Sequence, residues 1–150
     1  MIRLLPYKKE TLVVAHEWDT ILYLLSNELQ KPLKPGIPTS LSGWLKDDQF
    51  EVTLKVRRFN AFMPLIQGRI EPTTKGCILF LTYTMLPFNK FFLTFWTFFL
   101  LISGVLLIIY QDELLGNGLI LMVFLIHAVA WSNFNLHLKT IRAIFLKTLE

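Results

Sequence analysis

Two long apolar runs dominate the second half of the chain. Residues 91–110 contain no charged side chain, and after a polar break at residues 111–118 a second apolar run begins at Leu119. An α-helix rises about 1.5 Å per residue, so about twenty residues cross a hydrocarbon core of about 30 Å with every backbone hydrogen bond made inside the helix. The pattern therefore predicts a membrane protein with a helical hairpin whose spans cover about 91–110 and 117–136.

An amphipathic helix is predicted near the N-terminus. Apolar side chains recur at helical spacing on one face of residues 18–29, namely Trp18, Ile21, Leu22, Leu25 and Leu29. The preceding residues 11–15 fit either an extension of this helix or a short strand, because Val13 and Val14 favour strands. Residues 31–38 contain three prolines, which predict a linker or an edge segment wrapping the domain.

Between residues 41 and 85 the hydrophobic period changes to two, which indicates strands exposed on one face. Turn-forming residues at 46–49 and 72–76 divide the region into four predicted strands, which cover residues 40–45, 50–58, 64–71 and 77–85. The prediction is a four-stranded antiparallel meander with the N-terminal helix packed on its apolar face.

The last residues predict a short amphipathic helix. Ile141, Ile144, Phe145 and Leu149 recur at helical spacing with basic residues between them, so this helix lies either on the membrane surface or on the β-rich domain. The predicted fold class is an α+β membrane protein with a cytoplasmic domain over 1–88, a transmembrane hairpin over 89–136 and a C-terminal helix over 137–150.

Composition and charge agree with this organisation. The chain is 53% hydrophobic, with a mean hydropathy of +0.49, and the apolar excess lies after residue 90. Its fifteen lysines and arginines all lie on one side of the hairpin, whereas the charged residues of the connecting loop are Asp112 and Glu113. The positive-inside rule then predicts that both termini are cytoplasmic and that the loop 111–118 lies on the far side of the membrane.

Residues 50–71 carry a recognisable pattern that follows Gly43 and Trp44. It consists of an aromatic-containing strand, a basic residue, an asparagine, an aromatic residue, a proline and a further strand with glycine, carried by Phe50, Arg58, Asn60, Phe62, Pro64 and Gly68. With the two apolar runs and the charged helix that follow, it resembles a group of uncharacterised small bacterial membrane proteins over most of residues 40–150. The resemblance implies a bacterial inner-membrane protein and brings no established activity.

A candidate binding loop joins the second and third predicted strands. Arg57, Arg58, Asn60 and Phe62 would form a basic, aromatic-rimmed loop that contacts anionic lipid headgroups or an acidic partner surface. The alternative is a sheet-edge loop in which Asn60 turns the chain and the phenylalanine completes the core.

Three polar residues in the second span are candidate intramembrane sites. His127, Ser132 and Asn133 would line a polar path if several hairpins assembled, and an ionisable histidine at depth suggests a proton carrier or ligand. The alternative for His127 is a packing role, with a hydrogen bond to the neighbouring helix. Ser103 and Gly104 would allow close approach of the two helices.

No motif in the sequence predicts catalysis or a cofactor. Cys77 is the only cysteine and is expected to be a small apolar residue in a strand, and Asp112 and Glu113 are expected to be solvated rather than to bind a cation. A phosphate-binding loop, a nucleophile elbow and a zinc-binding histidine pair are not found in the sequence, and the basic residues are too dispersed for nucleic-acid binding.

Two functions from different classes remain at the level of sequence. The first is a non-enzymatic module that holds its domain at the cytoplasmic face and binds a partner protein or membrane lipids. The second is a subunit of an oligomeric transporter or channel assembled through the hairpin.

Overall fold

A computed structural model describes residues 5–31, 40–55, 63–110 and 112–149. Within these ranges the chain is an α+β protein with five strands and three helices. In chain order they are β1 (Tyr7–Val14), α1 (Trp18–Gln30), β2 (Leu41–Lys46), β3 (Gln49–Leu54), β4 (Pro64–Thr73), β5 (Gly76–Met85), α2 (Pro87–Ile109) and α3 (Glu113–Leu149).

The strands form one antiparallel sheet in the order β1-β5-β4-β3-β2. The predicted meander is confirmed for β2 to β5, but the prediction of four strands is wrong, because β1 adds a fifth. β1 pairs with β5 from Tyr7 opposite Thr84 to Val14 opposite Cys77, so residues 11–14 belong to a strand. Local periodicity was ambiguous there because the partner strand lies some seventy residues further along the chain.

The concave face of the sheet is covered by α1 and by the C-terminal half of α3. From α1, Ile21 and Leu25 are fully buried, as the predicted amphipathic helix requires. From α3, a stripe of side chains at helical spacing is buried against the sheet and α1, namely Phe134, Leu138, Ile141, Phe145 and Leu149. The C-terminal residues therefore pack on the α+β domain. This decides between the two possibilities that the sequence left open, the membrane surface and the domain.

Helix α3 is continuous over 37 residues, or about 55 Å. The predicted break at residue 137 is absent, and the connection between the two long helices is shorter than the predicted loop 111–118. α2 ends at Ile109, and α3 begins at Glu113, so Gly116 and Gly118 are helical. The sequence suggested a turn there because glycine is common in turns, but Asp112 accepts a hydrogen bond from the Leu115 amide and caps the helix instead (3.2 Å).

The core contains a glycine covered by an aromatic ring. Gly68 on β4 lies opposite Phe50 on β3, and a β-carbon added to Gly68 would lie 2.1 Å from the Phe50 ring. The same ring stacks on Phe145 of α3, with centroids 5.6 Å apart. The absence of a side chain at residue 68 thus allows Phe50 to connect the sheet to the helix.

Replacing Gly68 with alanine should therefore destabilise the domain by about 1–3 kcal/mol, the usual cost of overpacking. The double variant Gly68→Ala/Phe50→Leu should recover part of the loss, because the shorter side chain leaves room for the methyl group. Thermal unfolding of the purified protein in mild detergent measures both. Additive losses in the double variant would show that the ring contact is not the cause.

Candidate functional site

The helical hairpin formed by α2 and residues 113–133 of α3, called the apolar hairpin below, exposes most of its side chains. Phe91 is 71% exposed, Phe124 is 68% exposed and Leu114 is 87% exposed. Only 17% of the most apolar 18-residue stretch of either helix is buried. A core helix of a soluble protein would be mostly buried, and contiguous apolar surface of this extent marks an interaction with another apolar phase. Both helices are long and apolar enough to cross a membrane.

The two helices of the hairpin contact each other through small and aliphatic residues. The buried positions include Leu93, Leu100, Gly104, Gly116, Val123 and Ala130. A β-carbon on Gly116 would lie 2.6 Å from the Gly104 carbonyl oxygen and 2.5 Å from Ile108, so the backbones approach as closely as glycine permits. Gly104 was predicted to allow this approach, whereas Gly116 was assigned to the loop.

The structure does not bring the candidate polar residues of α3 together. At about 100° per residue, Ser132 lies about 140° around the helix from His127, and Asn133 lies about 120° from it in the opposite sense. His127 Nδ1 lies 2.9 Å from the Val123 carbonyl oxygen, and the Asn133 amide donates to the Val129 carbonyl oxygen at the same distance. Both side chains hydrogen-bond within their own helix, and the three do not form a common polar line.

One end of the sheet lies next to the apolar hairpin and is basic. Pro64 at the start of β4 pairs with Met85 at the end of β5, two residues before α2 begins, and Leu41 and Leu54 lie at the same end of β2 and β3. Four lysines lie at or near this end, namely Lys8, Lys31, Lys55 and Lys90. We call this edge the basic end. It spans five strands, or about 19 Å at the usual strand spacing.

Two lysines of the basic end are connected where α1 meets the sheet. The Lys55 ammonium donates to the Lys31 carbonyl oxygen (3.3 Å), and Lys31 pairs with Glu28. The opposite end of the sheet carries Asp47 and Asp48 beside Lys46 in the turn between β2 and β3, and Lys75 in the turn between β4 and β5, so these charges nearly cancel. Positive charge is therefore concentrated on the side of the domain from which the apolar hairpin leaves.

The predicted binding loop, with Arg57, Arg58, Asn60 and Phe62, lies outside the described residues. Its described flanks are Lys55 after β3 and Met63 before β4. Both flanks lie at the basic end, because β3 ends and β4 begins there.

A half-buried ionic cluster joins β1 to α3, and the sequence analysis missed it. The Arg142 guanidinium donates to both carboxylate oxygens of Glu10, with Nε at 3.0 and 2.9 Å and Nη2 at 2.6 Å, and the Tyr83 hydroxyl donates to the same carboxylate (3.0 Å). Glu10 shares the inward face of β1 with Leu12 and Val14. A charge among inward-facing apolar residues on a strand is a signal that could have predicted a buried partner.

The cluster shifts the pKa values of its members. The hydrogen bond from Arg142 lowers the pKa of Glu10 below its ordinary value of 4.5, against a smaller opposing effect of burial. The pKa of Arg142 is raised by the same hydrogen bond, and burial together with the charge of Glu10 raises the pKa of Tyr83. All three groups thus keep their present charges at neutral pH.

A carboxyl group whose pKa is lowered by folding stabilises the protein above its ordinary pKa and loses this contribution as the pH falls through the lowered value. The variant Glu10→Gln should therefore unfold at a lower temperature than the wild type at pH 7, with the difference shrinking below about pH 4. Melting temperatures measured from pH 7 to pH 3 test this. A difference that does not depend on pH would mean that the Glu10 charge is not responsible.

The convex face of the sheet is open from the row of Gln67 toward the β4–β5 turn, although Leu65 and Thr84 on the same face nearer the basic end are buried, and it carries an ordered row of polar and aromatic side chains. Lys9, Thr82, Gln67, Glu51 and Trp44 lie opposite one another across the five strands. Gln67 donates to Glu51 (2.8 Å), and on the next row Arg69 pairs with Asp48 (2.9 Å). Trp44, Phe80 and their neighbours line a shallow groove on this face.

Metal binding has no support in the described part of the chain, where no group of three or more His, Cys, Asp or Glu side chains is placed to hold an ion. Cys77 is buried in the sheet core, where burial raises the pKa of its thiol.

No family model matches the sequence, and no curated protein sequence is significantly similar to it. Among solved structures, a crystal structure of a protein from Mesorhizobium loti aligns with 57% of this chain and 80% of its own, at 9% identity and a TM-score of 0.37. A solution NMR structure of a polyketide-cyclase-like protein from Corynebacterium glutamicum aligns with 82% of this chain and 90% of its own, at 10% identity and a TM-score of 0.34. Similarity at this level assigns neither family nor activity.

Proposed function

We propose that this protein is a membrane-anchored binding module of the bacterial inner membrane, without catalytic activity. The apolar hairpin crosses the bilayer, and the α+β domain is held on the cytoplasmic leaflet with its basic end toward anionic lipid headgroups. The observation that carries the proposal is that the exposed apolar hairpin leaves the domain at the end where Lys8, Lys31, Lys55 and Lys90 lie.

The dimensions of the hairpin support a bilayer-spanning role. α2 has 23 residues, or about 35 Å, and the apolar part of α3 from Leu114 to Trp131 measures about 27 Å. Both lengths fit a hydrocarbon core of about 30 Å. Tyr110 at one end and Trp131 at the other are residue types enriched at the two membrane interfaces.

The charges support the orientation. Asp112 and Glu113 lie at the connection between the helices, whereas the lysines of the basic end lie at the opposite end of the hairpin. Basic residues near an anionic leaflet contribute about 1 kcal/mol each to lipid attraction. The segment with Arg57 and Arg58 begins and ends at the basic end and would add to this surface.

Cysteine labelling tests the membrane placement and its orientation. Cys77 is buried and should not react with a membrane-impermeant maleimide in the folded protein, whereas Glu113→Cys, at the connection between the helices, and Lys75→Cys each add one exposed thiol. In spheroplasts only Glu113→Cys should be labelled, and in inverted vesicles only Lys75→Cys. The opposite result would reverse the orientation, and equal labelling from both sides, or release by carbonate, would disprove membrane insertion.

Lipid preference tests the headgroup contact. The triple variant Lys31→Gln/Lys55→Gln/Lys90→Gln should retain several-fold less phosphatidylglycerol than the wild type, relative to phosphatidylcholine, when released from mixed nanodiscs into a native mass spectrometer. The matched control, Lys46→Gln/Lys75→Gln/Lys147→Gln, removes three lysines outside the basic end. Equal loss in both variants would show that net charge alone causes the effect. No loss in either variant would show that the lysines of the basic end do not contact lipid headgroups.

A further inference from the structure

The convex face of the sheet carries side chains that the proposed membrane contact does not use. Trp44 is 48% exposed, Phe80 is 41% exposed and Val13 is 81% exposed on this face, whereas Leu65 and Thr84, nearer the basic end, are buried. Tryptophan and arginine, here Trp44 and Arg69, are the residue types most enriched at the centres of protein interfaces.

We propose that this convex face docks on the same face of a second copy of the chain, about a two-fold axis that runs along the membrane normal. The inference rests on the proposed function, because both hairpins must lie in one bilayer with the same orientation. Only an axis along the membrane normal satisfies that condition for a two-fold dimer. All five strands have one end at the basic end, so the axis runs along the strands and relates residues at equal height above the membrane.

This symmetry fixes which side chains meet. β4 is the central strand, so Gln67 lies on the axis and meets its own copy, whose amide can both donate and accept. β1 meets β2 of the other copy, which sets Lys9 against Trp44 as a cation–π pair. β5 meets β3, which sets the Thr82 hydroxyl against the Glu51 carboxylate. The row is complementary to itself when it is reversed, as an isologous interface requires.

In the next row, that of Arg69, one contact across the dimer is unfavourable, and an ion pair within each chain partly offsets it. Arg69 also lies on β4 and would meet its own copy near the axis, but each guanidinium is paired with Asp48 within its own chain. Phe80 on β5 then faces Gln49 on β3 of the other copy. The contact at Arg69 limits the affinity of the dimer rather than excluding it.

The size of the face suits a dimer that depends on the membrane. Counted from Gln67 outward, the first two exposed rows cross all five strands and the third crosses only β4, β5 and β1, which gives about 300 Å² per copy. A standard stable interface buries about 800 Å² per partner, so this dimer is weak in free solution. Confinement of both copies in one bilayer raises their effective concentration, as a tether does.

Crosslinking of variants with one added cysteine in native membranes tests the proposal. Gln67→Cys should form a covalent dimer with a short bifunctional maleimide, because residue 67 meets its own copy across facing sheets about 10 Å apart. Thr11→Cys is the matched control on the same face, because two copies of β1 lie about 21 Å apart in this dimer. Cys77 is buried, so the wild-type protein gives the background level of crosslinking.

Charge reversal tests the specific contacts. Added to Gln67→Cys, Lys9→Glu should lower the yield of covalent dimer by about fivefold or more, because the lost cation–π contact occurs twice in the dimer. Lys75→Glu, away from the face, should leave the yield unchanged. Equal crosslinking of Gln67→Cys and Thr11→Cys, or a native dimer in which Gln67→Cys does not crosslink, would overturn the proposal. Failure of the membrane placement itself would be seen separately, in the labelling of Glu113→Cys and Lys75→Cys.

Discussion

Replacing Phe145 with alanine is expected to destabilise the α+β domain by about 3–5 kcal/mol, the usual cost of removing a buried aromatic side chain. Phe145 is fully buried and stacks on Phe50, which in turn lies over Gly68. Its loss leaves a cavity where the long helix meets the sheet. For a domain of this size the melting temperature should fall by about 10 °C or more.

The single cysteine provides the measurement. Cys77 is buried in the sheet, so a thiol-reactive fluorophore labels it only when the domain opens, and heating the full chain in mild detergent with this dye gives the melting temperature. Phe124→Ala on the same helix is the matched control, because Phe124 is 68% exposed. A similar fall in both variants would show that loss of a phenylalanine from α3, rather than loss of the contact with the sheet, is responsible.

Replacing Gly116 with leucine is expected to separate the two helices of the apolar hairpin. The new side chain would collide with the Gly104 carbonyl and with Ile108, and the backbone atoms can relieve the clash only if the helices move apart. Overpacking of this kind costs about 1–3 kcal/mol, and more where backbone must shift. Resistance of the full chain to unfolding by SDS should fall accordingly.

Gly118→Leu is the matched control for the hairpin, because it lies two residues further along the same helix and a β-carbon there meets nothing within 4 Å. It should leave SDS resistance unchanged or raise it slightly, since leucine favours a helix more than glycine does. Equal sensitivity of the two variants would mean that helix propensity, not contact between the helices, governs the hairpin.

The elements that the sequence predicted correctly are those with a strong local period. The amphipathic stripe of residues 18–29 gave α1, and the alternation after residue 41 gave strands with nearly the observed bounds. The prediction of two long apolar helices is also confirmed. Each of these signals is contained within a few turns of helix or one strand, so no tertiary information is needed to detect it.

The candidate sites leave weaker signals in the sequence than the helices and strands do. His127, Ser132 and Asn133 were chosen because polar groups are rare in apolar helices, but their direction around the helix and their hydrogen bonds to their own backbone separate them. The cluster of Glu10, Tyr83 and Arg142 was missed because its members come from three elements that are far apart in the sequence. Side chains that meet only after folding leave at most a weak trace in local patterns.

The sequence by itself determined the apolar hairpin, the α+β character of the domain and the separation of basic from apolar segments, because hydrophobic periodicity and charge are local properties. Only the tertiary structure decided that β1 completes the sheet, that α3 continues unbroken onto its concave face and that Lys8, Lys31, Lys55 and Lys90 lie where the hairpin leaves. Strand pairing and helix docking depend on burial between residues that are distant along the chain. That burial is a property of the whole fold and not of any one segment.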